Sequence, residues 1–234
     1  MNSPIGMSAE AGAEPILLPQ FDDLDQQQDA SILGMWMFLA TEVLFFGGLI
    51  AAYVIYRATS PGEFALASRH LKLWLGCVNT VVLLGSSLTM AFAVRSAQLH
   101  RHRHLVWFLL ATMVLGTCFL GIKAVEYYLE YRDHLVPGWN FRLPEELVSR
   151  SAPDSFDPRR FQMFFVLYFF MTGLHALHLI IGVSLVGVIA YLSRRRWFSG
   201  SGETQIEVAG LYWHFVDVVW VFLYPLLYLI DVHS

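Results

Sequence analysis

The amino-acid sequence predicts an all-α protein, an integral membrane bundle of five transmembrane helices. Hydrophobic residues make up 56% of the 234 residues and charged residues only 15%, whereas a typical soluble domain carries about 25% charged residues. Mean hydropathy is positive, at +0.51. The apolar residues also gather into five runs, each long enough to supply the roughly 20 helical residues that cross a hydrocarbon core.

The five runs differ in the charges that they carry. They must be helical, because a backbone in lipid has to satisfy its own hydrogen bonds. The first run contains Glu42, the third contains Lys123 and Glu126 near its end, and the fifth contains Asp217. The second and fourth contain no Asp, Glu, Lys or Arg. The predicted helices are 32–56, 73–94, 105–129, 161–192 and 208–230.

The segments around the helices predict how the chain is organised across the membrane. Residues 1–30 form a polar, acidic tail, residues 31–234 form the transmembrane domain, and the loop at 131–160, rich in Pro and Gly, is expected to be external. Two short loops hold a dense set of arginines, which is typical of the cytoplasmic side: Arg95, Arg101, Arg103, Arg194, Arg195 and Arg196. The N-terminus is therefore predicted inside and the C-terminus outside.

Composition and motifs exclude several classes of function. The net charge is −4 and no long basic run is present, so a nucleic-acid partner is not expected. Cys77 and Cys118 fall in apolar runs and form no metal-binding CxxC pair. The phosphate-binding loop, the GxSxG elbow and the HExxH zinc motif are absent from the sequence. We expect neither a catalytic residue nor a metal ligand in this chain.

Ionisable side chains in the apolar runs are the candidate functional residues. Placing one at mid-membrane costs about 2.5–3.5 kcal/mol on insertion scales, so each should face protein and find a partner. His175 and His178 share a face of the fourth helix at i and i+3, and His214 lies one turn before Asp217. Glu42 is interpreted as a hydrogen-bonded anchor or as a proton-relay carboxylate.

The other polar groups also allow more than one interpretation. His214 and Asp217 could form a neutral hydrogen-bonded pair or transfer protons directly. His175 or His178 together with His214 could in principle hold haem or copper. Lys123 and Glu126 are predicted to form an ion pair near the membrane interface, where Lys can snorkel. Small and hydroxyl residues of the second helix, Ser86 and Ser87 among them, favour close packing and hydrogen bonds between helices.

Trp and Tyr residues near the ends of the runs are predicted to be interfacial anchors. They are Trp36, Tyr53, Tyr56, Trp74, Trp107, Tyr127, Tyr128, Trp139, Tyr191, Trp197, Trp213 and Tyr228.

Five stretches resemble subunit III of the haem-copper oxidases, in the right order, over roughly residues 31–231. The first, LGMWMFLATEVLFFGGLIAAY (33–53), resembles that family's first conserved helix, and NTVVLLGSSLTMAFA (79–93) resembles the next. GIKAVEYY (121–128) is similar to its Glu-Tyr helix end, and FFMTGLHALHLIIGV (169–183) to its Gly-x-His-x-x-His helix. WHFVDVVWVFLYPLLYL (213–229) is similar to its terminal Trp-His-Phe-x-Asp signature.

The resemblance implies an accessory subunit of the short, five-helix bacterial form. Such a subunit is a multi-pass protein of the bacterial inner membrane. Such a subunit binds no haem or copper itself, contacts subunit I directly, works with subunit II and possibly other respiratory-chain proteins, and binds phospholipid. The family's polar positions fall on Glu42, Glu126, His175, His178, His214 and Asp217, for which the resemblance implies structural support and support of proton uptake. We predict that Glu42 meets a histidine of the fourth helix or a polar group of the second.

Three alternatives stay open at this point. The chain could be subunit III of a quinol oxidase, or an accessory protein of a nitric oxide reductase, since the electron donor is chosen by another subunit. From a different class, it could be a stand-alone haem protein that uses His175 or His178 with His214.

Overall fold

Five long helices and one short helix make up most of the part of the chain that the structure describes. The computed structural model describes residues 17–138, 141, 156–194 and 202–229. The helices are α1 (Leu24–Thr59), α2 (Pro61–Ser68), α3 (Leu73–Gln98), α4 (His102–Arg132), α5 (Pro158–Arg194) and α6 (Gly202–Tyr224), followed by a π-helical turn (Pro225–Leu229).

Five segments are long and apolar enough to cross a membrane: α1, α3, α4, α5, and α6 together with the π-helical turn. The described residues contain no strand. The prediction of an all-α bundle with five transmembrane helices is therefore confirmed. The side on which each terminus lies stays a prediction, and most of the predicted tail and external loop, including Trp139, falls outside the described residues.

The first helix begins at Leu24 rather than at the predicted residue 32. Its start is set by Asp23, whose side chain accepts a hydrogen bond of 2.7 Å from the backbone N–H of Gln26. The Gln26 side chain in turn accepts one of 2.8 Å from the backbone N–H of Asp22. Such reciprocal capping satisfies N–H groups that have no partner inside the helix, so α1 gains two polar turns before its apolar run.

The last transmembrane segment lies at the centre of the bundle. Within its apolar window 56% of residues are buried, compared with 17% in α1. It packs against α3, α5 and α1, while α4 packs against α3 and α5. Trp213, Trp220 and Leu223 of α6 are completely buried. The contacts of α6 therefore fix most of the bundle, and α1 is a peripheral helix.

Glycines make room for the Trp213 ring. A Cβ atom added to Gly116 of α4 would lie 2.7 Å from Cη2 of that ring, and one added to Gly182 of α5 would lie 3.3 Å from Cε3. Helices in lipid gain no hydrophobic drive from associating, so they depend on close van der Waals packing of this kind. The indole seated against the two glycines therefore fastens α6 to α4 and α5.

The π-helical turn follows from Pro225. Proline has no backbone N–H and its ring clashes with the preceding turn, so the α-helical hydrogen-bond pattern cannot continue through it. The chain widens into the turn and buries Leu227 and Tyr228. The hydroxyl of Tyr53, from α1, donates a hydrogen bond of 3.1 Å to the carbonyl of Leu226. The turn thus places Tyr228 inside the bundle, and the Leu226 carbonyl links the turn to α1.

We expect Gly116→Ala to destabilise the protein, because the new methyl group would overlap the buried Trp213 ring. Overpacking of this kind typically costs about 1–3 kcal/mol. Gly121→Ala, in the same helix, is the matched control, since a Cβ there meets nothing within 4 Å. Thermal unfolding in detergent, followed by the size-exclusion peak, should show a lower midpoint for Gly116→Ala alone. Equal midpoints for the two variants would contradict the packing described here.

Candidate functional site

Glu42 of α1 pairs with His178 of α5 in the interior of the membrane domain. Glu42 Oε2 lies 3.2 Å from His178 Nε2, and the two side chains are only 18% and 14% exposed. The predicted contact between Glu42 and a histidine of the fourth transmembrane helix is therefore confirmed. Phe46 packs its ring edge-on against the imidazole, with the centroids 5.4 Å apart.

The second nitrogen of the His178 ring is held by its own helix. His178 Nδ1 lies 2.9 Å from the backbone carbonyl of Leu174. A carbonyl only accepts hydrogen bonds, so Nδ1 is the donor and Nε2 is left to face Glu42. The contact of Nε2 with Glu42 Oε2 lies within ion-pair distance, at 3.2 Å, but Oε2 has no hydrogen-bond partner of normal geometry among the described residues.

Lys123 lies at the centre of a second polar cluster, which we call the lysine cluster. Its Nζ donates to Glu126 Oε2 at 3.0 Å, to the Tyr228 hydroxyl at 2.9 Å and to the Tyr168 hydroxyl at 3.2 Å. Both tyrosine hydroxyls also donate to Glu126 Oε1. The cluster joins α4, α5 and the π-helical turn.

The ion pair predicted between Lys123 and Glu126 is confirmed, and it lies inside the bundle; its depth relative to the membrane interface stays a prediction. The Lys123 side chain is 4% exposed and that of Glu126 is 0% exposed. Aromatic rings surround the ammonium, with the Trp220 ring centroid 4.9 Å and the Tyr168 centroid 5.0 Å from Nζ. The hydroxyl groups and ring faces contact the ammonium group in place of water, so the lysine side chain does not have to extend to the surface of the membrane.

Glu130 lies one helical turn beyond Glu126 and is 97% buried, with 3% relative exposure. Neither of its oxygens has a hydrogen-bond partner of normal geometry among the described residues. The sequence analysis missed it, although Lys123, Glu126 and Glu130 follow the i, i+3, i+7 spacing of one helix face. That spacing could have identified Glu130 from the sequence as a third charged residue on the same helix face.

The expected pair of His214 and Asp217 does not form. His214 Nδ1 lies 2.8 Å from the Ser87 hydroxyl of α3, which agrees with the looser expectation of a partner on a neighbouring helix. Asp217 is 3% exposed, and neither oxygen has a hydrogen-bond partner within the part of the chain that the structure describes. Ser87 lies near Asp217 without a bond of normal geometry. Spacing placed the two residues on one face, but the imidazole turns to α3.

His175 lies deep in the bundle, at 1% exposure. Its ring packs against Trp220 and Phe119, with centroid distances of 5.3 and 5.6 Å. Neither ring nitrogen has a hydrogen-bond partner among the described residues. Among those residues no group of three or more His, Cys, Asp or Glu side chains is arranged to hold a metal ion. A haem held by His178 would require one of its two contacts to break, since Nε2 faces Glu42 and Nδ1 faces the Leu174 carbonyl.

The predicted aromatic anchors divide into two groups. Tyr53, Trp213 and Tyr228 are buried in the bundle, so their assignment as interfacial anchors is wrong. Their rings or hydroxyls make contacts inside the bundle instead. Six others expose a large part of their side chains: Trp36, Tyr56, Trp74, Trp107, Tyr128 and Tyr191. Tyr127 falls between the two groups: it is partly buried, and its hydroxyl lies 2.6 Å from the Thr172 hydroxyl. Trp197 lies outside the described residues.

The fold and the buried acid–imidazole and acid–lysine contacts define a multi-helix integral membrane protein. The family described as cytochrome c oxidase subunit III matches residues 161–232. The chain is 30% identical to cytochrome c oxidase subunit 3 of Corynebacterium diphtheriae over 231 residues, covering 96% of this chain and all of that protein. It is 29% identical to the protein of the same name from Thermostichus vulcanus, covering 89% and 92%.

A third relative carries a different name. The chain is 26% identical to cytochrome bo(3) ubiquinol oxidase subunit 3 of Pseudomonas putida, with 86% of each chain covered. The extent of these matches settles the family: this chain belongs to the cytochrome c oxidase subunit III family. The resemblance of the five motifs is thereby confirmed, and the protein is a multi-pass bacterial membrane protein.

We expect Glu42→Ala to destabilise the protein, because His178 Nε2 would lose the carboxyl group that lies 3.2 Å away. Leaving a buried polar group unsatisfied costs about 1–3 kcal/mol. Glu42→Gln should retain most of the stability, since its amide N–H can donate to an unprotonated Nε2. Thermal midpoints of the two variants in the same detergent test this. If Gln is as damaging as Ala, the contact depends on charge and the carboxylate form is required.

Lys123→Met should destabilise the protein more strongly, because it leaves Glu126 buried without its cation. Removing one partner of a buried pair typically costs about 3–5 kcal/mol. The double variant Lys123→Met/Glu126→Gln removes both charges and should recover much of the loss. The yield of folded protein in membranes and its thermal midpoint provide the measurement. A double variant no better than the single one would show that the lysine cluster is not held by this charge pair.

Proposed function

We propose that the chain is the accessory subunit III of a respiratory haem-copper oxidase that passes electrons from cytochrome c to oxygen and translocates protons. The match to a relative of that name over that relative's whole length carries the proposal. The haem and copper chemistry belongs to partner subunits. This chain stabilises catalytic subunit I through direct contact, and subunit II lies in the same complex.

The buried polar residues support this role through structure and protons. The lysine cluster uses Glu126 to hold α4, α5 and the π-helical turn together. Glu42 and His178 face each other at 3.2 Å between α1 and α5, and a buried acid–imidazole contact suits a group that supports proton uptake by subunit I. His214 ties α6 to α3 through Ser87.

Asp217 and His175 complete the set of proposed site residues. Both are buried without a hydrogen-bond partner of normal geometry among the described residues. Unpartnered polar groups inside a membrane protein are expensive and are typical of proton pathways or of sites completed by water. Their role is therefore proposed as support of proton uptake rather than as packing.

The outer surface of the bundle is apolar and suits both lipid and a partner subunit. Large side chains on α1 are exposed, among them Leu44, Met37 and Ile55. With the N-terminus inside, the ends of α3 and α5 and the start of α4 lie on the cytoplasmic side, where Arg95, Arg103 and Arg194 accord with the distribution of basic residues in membrane proteins. Phospholipid covers the surface that subunit I leaves free.

A quinol oxidase is the second candidate, because relatives named as quinol oxidase subunits cover about as much of this chain as several of those named for cytochrome c. The two candidates differ in electron donor and not in the role of this chain.

The experiment is to tag this chain, purify it from its native membranes in mild detergent, and record the reduced-minus-oxidised spectrum. Haem bands that travel with a large multi-helix subunit, and disappear when the chain is expressed alone, are the expected result. The oxygen consumption of the complex with reduced cytochrome c or with quinol then separates the two candidates. A haem retained by the isolated chain would overturn the proposal and revive the histidine-ligand alternative.

A further inference from the structure

A groove of about 370 Å³ opens between α1, α3 and α6, near the end of the bundle where α3 ends and α6 begins. Its polar lining consists of Gln98, Glu207 and His214, and no Lys or Arg is among the described residues that line it. At the mouth of the groove, Gln98 donates a hydrogen bond of 2.9 Å to Glu207. His214 lies seven residues further along α6, or roughly 10 Å deeper at 1.5 Å per residue. The groove is therefore a polar, acidic inlet that reaches an imidazole inside the bundle.

Ser87 differs from other hydroxyl residues of α3. The hydroxyls of Thr80 and Ser96 donate to carbonyl groups of their own helix, at 2.8 and 2.7 Å, which is the usual habit of a helical Ser or Thr. The Ser87 hydroxyl instead lies 2.8 Å from Nδ1 of His214. It also lies near the carboxyl group of Asp217, one turn further along α6. Ser87 therefore directs its hydroxyl out of α3 and toward two ionisable groups of α6.

Asp217 is the buried end of this arrangement. It is 3% exposed, and neither of its oxygens has a hydrogen-bond partner of normal geometry within the described part of the chain. It does not itself line the groove, whereas His214 does. A proton that moves between the groove and Asp217 therefore has to pass through other groups. His214 and Ser87 are bonded to each other, and Ser87 lies next to Asp217.

Each of these three side chains has the chemistry to pass a proton on. An imidazole can take a proton on one ring nitrogen and release one from the other. Because Nδ1 of His214 is bonded to Ser87, Nε2 is the nitrogen left for water in the groove. A hydroxyl accepts one hydrogen while it donates its own. The carboxylate of Asp217 accepts the proton at the end of the series.

We propose that His214 and Ser87 carry protons between water in the groove and the carboxyl group of Asp217, which makes Asp217 a reversible proton store. Water gives a proton to His214 Nε2, Nδ1 gives its proton to Ser87 Oγ, and the hydroxyl gives its own proton to the Asp217 carboxylate. One proton enters, one is bound and no electron moves. The reverse sequence returns the proton to the groove.

The inference rests on the proposed role in proton support and deepens it. It names the series of groups, which we call the relay, and the side from which they take protons. That side is the end of the bundle where α3 ends and α6 begins, predicted to be cytoplasmic. Glu207 at the mouth favours the entry of protons, because a negative charge raises the local concentration of cations.

The test follows hydrogen–deuterium exchange at Asp217 by infrared spectroscopy of the intact complex, purified through a tag on this chain. Asp217→Asn identifies the carboxyl band by removing it. After a change to heavy water, Ser87→Ala and His214→Gln should slow the shift of that band by about a hundredfold, the lower end of what a positioned proton donor or acceptor contributes. Ser87→Thr keeps a hydroxyl and should exchange at the native rate. Ser96→Ala is the control, since the Ser96 hydroxyl bonds within α3.

A second pair of variants tests the groove without altering the relay. Ala91→Phe places a ring in the groove and should slow the exchange, whereas Leu88→Phe adds a ring at an exposed position of the same helix outside the groove and should not. If Ser87→Ala and His214→Gln exchange as fast as the native chain, protons reach Asp217 by another route and the relay is wrong. A native carboxyl band that does not shift, or that is absent at every pH at which the complex stays folded, would also overturn the proposal.

The haem content and oxygen consumption of the same samples separate this inference from the proposed function. A complex with full haem content, in which exchange at Asp217 is the same in every variant, would remove the relay and leave the accessory role standing. A chain that shows the expected pattern of exchange but never carries haem subunits with it would contradict the oxidase role and leave the relay standing.

Discussion

The bundle depends on one constraint: a polar side chain inside a membrane is costly unless it meets another polar group, because hydrocarbon offers no hydrogen bonds. Glu130, His175 and Asp217 have no hydrogen-bond partner among the described residues, but three contacts between helices bring other polar side chains together. Glu42 and His178 join α1 to α5, the cluster around Lys123 joins α4, α5 and the π-helical turn, and His214 and Ser87 join α6 to α3. Apolar contacts in lipid have many nearly equal arrangements, whereas each of these polar contacts has one, so they fix how the helices sit against each other.

The packing of α3 against α6 shows how small polar residues of one helix satisfy large residues of the other. Two tryptophans of α6 lie two turns apart, and each donates its indole N–H to a hydroxyl of α3: Trp213 to Ser86 at 3.2 Å and Trp220 to Thr80 at 3.1 Å. The hydroxyls of α3 satisfy the N–H groups that burial would otherwise leave without a partner, while the rings pack against α4 and α5. These hydrogen bonds allow the most buried helix to contain the two largest fully buried side chains among the described residues.

Sequence reasoning succeeded where one physical rule decides the outcome and failed where side-chain direction decides it. Run length and charge identified the five membrane segments, and the cost of a lone carboxylate in lipid predicted a partner for Glu42. The position of Lys123 near the end of a run predicted that its ammonium group could reach the membrane interface. Nothing in the sequence reveals that the π-helical turn instead brings the Tyr228 hydroxyl to this ammonium group. The spacing of His214 and Asp217 gave a shared face but not the rotamer that turns the imidazole to α3.

The contact between Glu42 and His178 is tied to the position of α1 in the bundle. This helix buries only Leu39, Phe46 and Tyr53, so its place depends on few contacts, of which the polar contact with His178 is one. Moving α1 away from α5 would leave a carboxyl group and an imidazole in apolar surroundings, which is costly in a membrane. The polar contact and the docking of α1 therefore stabilise each other by the same free energy, as linkage requires. A partner subunit that presses α1 onto the bundle would in this way strengthen the contact between Glu42 and His178.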